Sequence, residues 1–279
     1  MLLSTSIFIF LSSLVAGLIG ALLGLGGGII IIPVLTLMLG IPIHEAIGAS
    51  IVSVIATSSG SAIAYVRDKI TNIRIGMFLE TATTVGAITG AFIASHISVK
   101  ALYITFALLM FYSAATMTRK RNARYIEGQV QEDPIAKRLS MSGQYFDKAL
   151  HTEIHYQVAH VIPGWLVNYT AGILSGLLGI GGGAFKVLGM DVFMRLPMKV
   201  STATSNFMIG VTAAASAGVY FTRGDIDPVV AGPVAIGVLI GALAGTRIMV
   251  RLNSKTLRLL FIPILLLIAI QMLWKAWWM

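Results

Sequence analysis

Leu22-Leu-Gly-Leu-Gly-Gly-Gly-Ile-Ile30 and Leu177-Leu-Gly-Ile-Gly-Gly-Gly-Ala-Phe185 are the stretches whose reading decides the fold. Consecutive glycines permit positive φ and close backbone approach, and they leave the peptide N–H groups of a following helix available to an anion. An apolar run precedes each stretch, at 5 to 23 and 162 to 178, and a shorter one follows, at 29 to 40 and 184 to 194. About 12 residues at 1.5 Å rise cover roughly 18 Å, well under the ~30 Å of bilayer hydrocarbon. Each break is therefore expected inside the membrane, between two incomplete helices, with amides facing a buried hollow. The alternative is that these glycines only let helices pack closely.

Outward from the breaks the chain stays apolar, in segments at 45 to 66, 74 to 95, 100 to 118, 200 to 221, 228 to 250 and 256 to 274. The 279 residues are 57% hydrophobic and 11% charged, with a mean hydropathy of +0.88, where a soluble domain carries about 25% charged residues. The reading is an all-α, multi-pass protein of the cell membrane. The first run follows no Lys or Arg and enters Gly24 to Gly28 without a small-residue cleavage site, so it reads as a retained helix and not a signal peptide. Without cysteine, disulfides and thiolate metal sites are excluded. Basic residues lie at the ends of apolar runs rather than in one patch with interleaved aromatics, which argues against nucleic acid.

The halves repeat each other. An offset of 155 aligns Gly24 with Gly179, Pro42 with Pro197, Ser50 with Ser205, Thr57 with Thr212, Tyr65 with Tyr220, Gly86 with Gly241 and Gly90 with Gly245. This divides the chain into a first repeat at 1–118, a polar loop at 119–161 and a second repeat at 162–279. If each half crosses five times, one side collects Arg67, Lys69, Arg74, Arg119, Lys120, Arg121, Arg124, Lys137, Arg138, Lys148, Arg195, Lys199, Arg251, Lys255 and Arg258. The other side holds Lys100, Arg223 and Lys275, a split of 15 to 3. If each broken pair counts as one crossing, the split falls to 12 to 6, so the first arrangement is preferred. An odd number of crossings makes the repeats inverted, a plan of secondary transporters with the site near the midplane. The loop at 119–161 is then cytoplasmic and both termini face away from it. A re-entrant pair of half-helices remains an open alternative.

The candidate substrate-binding residues follow from this frame. Gly24, Gly26, Gly27, Gly28, Gly179, Gly181, Gly182 and Gly183 supply backbone at the breaks. Lys186, where the first half has Ile31, is a cation inside an apolar segment and needs a partner. An anion is one such partner and Asp191 another, while snorkelling to the interface is the alternative. Ser50, Thr204, Ser205 and Asn206 offer hydroxyl and amide groups near helix starts, with Thr57 and Thr212 two turns on; hydrogen bonding between helices would use them equally well. Glu80 is an isolated intramembrane carboxylate, a candidate for binding a coupling proton, with capping of a helix interaction as the alternative, and Asp191 is the second coupling candidate. Gly86, Gly90, Gly241 and Gly245 read as helix-packing positions. No metal site or cofactor is expected. His151-Thr-Glu-Ile-His155 lacks the order of a zinc hydrolase, and the sequon at Asn168 is buried in an apolar run.

Gly24-Leu-Gly-Gly-Gly28-Ile and Gly179-Ile-Gly-Gly-Gly183-Ala each follow a small-residue helix and precede a third segment started by proline. With Ser50 and Ala203-Thr-Ser205, they resemble the sulfite exporter TauE/SafE family. The resemblance covers both halves and leaves out the 119–161 loop. It implies transport of sulfite or an organosulfonate, driven by an ion gradient. Lys186 departs from the apolar residue expected after the glycines, and the loop looks longer than the family's linker. An anion channel, or a carrier of another small oxyanion or carboxylate, is the alternative function; a membrane enzyme is disfavoured because the spans hold no cluster of acid-base or ligand residues. The expected partners are a small anion and the lipid bilayer, and a homo-oligomer is left open.

Overall fold

The computed structural model describes residues 2–93, 97–119, 130–179 and 181–278. The order is α1 (Leu2–Leu23), α2 (Gly28–Pro33) running into a π-helical turn Val34–Met38, α3 (Ile43–Arg67), α4 (Ile73–Ile93) and α5 (Val99–Arg119). There follow α6 (Pro134–Arg138), β1 (Gly143–Asp147), β2 (Thr152–Tyr156), α7 (Val161–Leu178) and α8 (Gly183–Leu188) with its π-helical turn Gly189–Phe193. The chain ends with α9 (Met198–Thr222), α10 (Pro228–Met249) and α11 (Ser254–Trp277). Among the described residues, five helices are long and apolar enough to cross a membrane: Thr5–Leu23, Ile43–Arg67, Ile73–Ile93, Pro228–Met249 and Lys255–Trp277.

Small residues decide which helices pair. A Cβ on Gly17 would collide with the backbone of Val238, and one on Gly237, Gly241 or Gly245 with the backbone of Phe10, Leu14 or Leu18. Both partners advance by four residues at a time, so α1 and α10 lie parallel, backbone against backbone. The second half repeats this with partners exchanged: Gly172 abuts Thr83, and Gly86 and Gly90 abut Tyr169 and Ile173, joining α4 to α7. The packing role expected of Gly86, Gly90, Gly241 and Gly245 is what these contacts show.

Between the two pairs stand α3 and α9, each 25 residues long and each entered through a proline, Pro42 at φ −53° and Pro197 at φ −57°. The start of α9 meets the end of α3, where the Asn72 N–H donates to Thr204 Oγ1 at 3.0 Å. Gly48, early in α3, abuts Asp225 and Ile226 just beyond α9. The two central helices therefore run in opposite directions.

Two expectations change. The first helix of each broken pair is not short: α1 has 22 residues and α7 has 18, about 33 and 27 Å at the standard rise, and only the element after each break is curtailed. The chain is also not entirely helical. In the 119–161 segment, Gly143–Asp147 pairs antiparallel with Thr152–Tyr156, Tyr145 opposite Ile154, where the aromatic Tyr145, Phe146 and Tyr156 and the branched Thr152 and Ile154 suit a strand pair. This hairpin docks on the ends of the long helices. Lys199, at the start of α9, lies 2.7 Å from Asp147 with both side chains buried, and Asn72 Nδ2 donates to Tyr156 Oη at 2.9 Å. Burial, reinforced by the Asp147 carboxylate, holds the Tyr145 hydroxyl protonated well above the usual tyrosine range. The basic group Lys120, Arg121 and Arg124 lies outside the described residues.

Candidate functional site

The two glycine breaks meet each other, and the first glycine of each lies against the long helix of the other half, Gly24 against Thr202 and Gly179 against Ile47. Gly24, Gly26, Gly179, Gly181 and Gly182 have φ between +63° and +75°, a conformation costing other L-residues roughly 1–2 kcal/mol. A Cβ on Gly26 or on Gly181 would meet the same two side chains, Val54 and Ile209, which are themselves 155 positions apart. A Cβ on Gly183 would strike the backbone of Gly24 and Leu25.

The two serines follow the same exchange, while Thr57 bonds within its own half. Ser50 Oγ of α3 donates to the Gly179 carbonyl at 2.8 Å, and Ser205 Oγ of α9 donates to the Gly24 carbonyl at 2.7 Å. The Gly27 N–H donates to Thr57 Oγ1 at 3.1 Å. Asn206 Nδ2 donates to the Ala21 carbonyl at 2.8 Å, ahead of the first break, and Asn206 Oδ1 accepts from Ser61 Oγ at 3.1 Å. The breaks are thus close-packed and bonded to protein, as the packing alternative held. A hollow of about 300 Å³ beside the first break runs between Ile29, Ile30, Pro33 and Val34 and, on α11, Pro263, Ile264, Leu267 and Gln271; its wall is apolar but for Gln271.

The charge lies elsewhere, one turn past the second break. Lys186 on α8 has no exposed surface, and its Nζ stands 3.6 Å from Glu80 Oε2 of α4, itself 6% exposed. Thr212 of α9 ties the pair together: Lys186 Nζ donates to Thr212 Oγ1, and that hydroxyl donates to Glu80 Oε1 at 2.6 Å. Thr84 Oγ1 donates to the same carboxylate oxygen at 3.1 Å, and Thr83 Oγ1 lies 3.3 Å from Thr212 Oγ1. Two charges in an apolar interior persist only when paired and hydrogen-bonded. The corresponding positions 155 residues away are Ile31, Thr57 and Ala235, so the duplication keeps the threonine but neither charge.

The structure therefore brings Lys186, Glu80 and Thr212 together, and brings Ser50, Ser205 and Asn206 to the breaks. Thr204 does not join them; it accepts from Asn72 at the hairpin side. Asp191 is buried in the π-helical turn after α8, and the carboxylate within ion-pair reach of Lys186 is Glu80. Thr83 and Thr84 went unnoticed in the sequence, although their place one turn beyond Glu80 on the same helix was a usable signal. Among the described residues no three His, Asp or Glu side chains gather as metal ligands. Asn168 is buried, its Nδ2 donating to the Gly164 carbonyl at 2.8 Å.

The family described as Sulfite exporter TauE/SafE matches residues 9–272. The chain belongs to this family. Among curated relatives, it is 26% identical over 270 residues to the Probable membrane transporter protein YunE of Bacillus subtilis (strain 168), covering 94% of this chain and 95% of the relative. It is 27% identical over 239 residues to the Probable membrane transporter protein YdhB of the same organism, covering 85% and 86%. It is also 26% identical over 268 residues to a Probable membrane transporter protein of Xylella fastidiosa (strain 9a5c), covering 94% and 93%. No solved structure matches it. The family and these relatives are described as membrane transporters, and the spanning helices of the chain fit a multi-pass membrane protein.

Proposed function

We propose that this TauE/SafE protein is a secondary transporter that exports sulfite, or a related small organosulfur anion, across the cytoplasmic membrane by alternating access. The observation that carries this reading is the buried Lys186–Glu80 pair: a cation deep among apolar helices, held by a carboxylate that a substrate anion can replace. The opposite directions of α3 and α9, and the exchanged bonds of Ser50 and Ser205, support two inverted halves that rock about the breaks.

The chemistry follows from charge. An anion that takes Lys186 leaves Glu80 without its counter-charge, so we place a coupling proton beside that carboxylate. The groups facing Glu80 are Lys186, Thr212 and Thr84, with Thr83 beside Thr212. Anion and proton then occupy the same state and move together. A dianion accompanied by one proton carries net charge −1, and an inside-negative potential drives it outward with about 2.3 kcal/mol per 100 mV.

Labelled sulfite trapped in proteoliposomes tests this. Efflux is expected to saturate, to quicken under an inside-negative potential and to depend on pH. Single-channel currents with no saturation would overturn the carrier reading.

A further inference from the structure

A second charged site lies at the hairpin side of the molecule, apart from the buried pair. The end of α3, the end of α10 and the turn of the hairpin enclose a cavity of about 340 Å³, within the range of small-ligand sites. Its rim carries Arg67, Lys148, Arg247 and Arg251 against a single carboxylate, Asp68. That carboxylate is already engaged, 2.7 Å from Lys148 and 3.7 Å from Arg67. The side chains of Arg247 and Arg251 make no hydrogen bond or ion pair among the described residues, so two guanidinium groups line the cavity with free donors. Guanidinium presents paired N–H groups that match the oxygens of phosphate.

The remaining wall points to where that phosphate comes from. Ile63 and Leu243 line the cavity with 72% and 46% of their surface exposed, on helices that are apolar enough to span the bilayer. A Cβ on Gly60 would touch Leu239, so α3 and α10 close together there and form the floor of a groove. The groove is charged at the helix ends and apolar along the helices. That is the shape of a phospholipid, headgroup at the interface and acyl chain along the span.

We propose that Arg247 and Arg251, with Lys148 and Arg67, bind the phosphate of an anionic phospholipid whose acyl chain lies along Ile63 and Leu243.

The test uses the purified full-length protein in neutral detergent, with thermal unfolding followed as phosphatidylglycerol, phosphatidylcholine or inorganic phosphate is titrated in. Phosphatidylglycerol is expected to raise the midpoint at low concentration, and the Arg247→Gln/Arg251→Gln variant to need about tenfold more of it. Lys137→Gln, an exposed charge removed elsewhere, is expected to respond like the wild type. An equal response to inorganic phosphate would overturn the lipid assignment in favour of a soluble anion. Equal stabilisation by phosphatidylcholine, or an unchanged response of the double variant, would overturn the site. Sulfite efflux does not enter the readout, so the outcome is independent of the transport proposal.

Discussion

Lys186 is fully buried, and 3.6 Å away Glu80 is its ion-pair partner among the described residues. Removing one member strands the other, which in a low-dielectric interior costs roughly 3–5 kcal/mol. Glu80→Gln is expected to keep the Thr212 hydrogen bond, abolish the pH dependence of sulfite efflux and leave Lys186 to the anion; an efflux whose pH profile is unchanged in this variant would remove Glu80 from coupling. At the breaks, Gly181→Ala places a side chain at φ +74° against Val54. A loss of about 1–2 kcal/mol in thermal stability is expected from the backbone alone, and a midpoint equal to wild type would contradict the strain argument. Lys186 and Glu80 were both legible in the sequence as isolated charges in apolar runs. Their pairing was not, because 106 positions separate them and the internal repeat matches Lys186 to Ile31 and Glu80 to Ala235.

At the scale of elements, the repeat register and hydropathy placed ten segments close to where the helices stand. They misjudged α1, because a full-length helix before a glycine break reads the same as a half-helix. They also missed the hairpin at 143–156, whose five-residue strands carry too little periodicity to stand out in a polar loop. What fixes that hairpin is a tertiary contact, the buried Asp147–Lys199 ion pair at 2.7 Å. Asp147→Asn leaves the Lys199 charge without its counter-ion and is expected to destabilise the protein by roughly 3–5 kcal/mol, with the paired variant Asp147→Asn/Lys199→Met recovering much of the loss. Thermal unfolding of the three variants checks this. A double variant no more stable than Asp147→Asn would show that the pair is not the anchor.

For the whole molecule, exchange between halves is the organising feature: α1 lies on α10, α4 lies on α7, and each break takes a serine hydroxyl from the opposite half. The 15 to 3 division of basic residues predicts an orientation, since charge bias acts without any tertiary contact. The chain has no cysteine, so single introduced thiols report sidedness directly. Gln131→Cys is expected to be modified from the cytoplasmic side and His44→Cys and Ser98→Cys from the opposite side; the reverse pattern would invert the arrangement. The central claim, that the anion is carried at the buried lysine, is tested most directly by labelled sulfite efflux from proteoliposomes containing wild type or Lys186→Met, with folding checked by gel filtration. A well-folded Lys186→Met protein is expected to lose the flux by about tenfold or more, in line with the large cost of breaking a buried charge contact. Efflux at the wild-type rate would contradict the account.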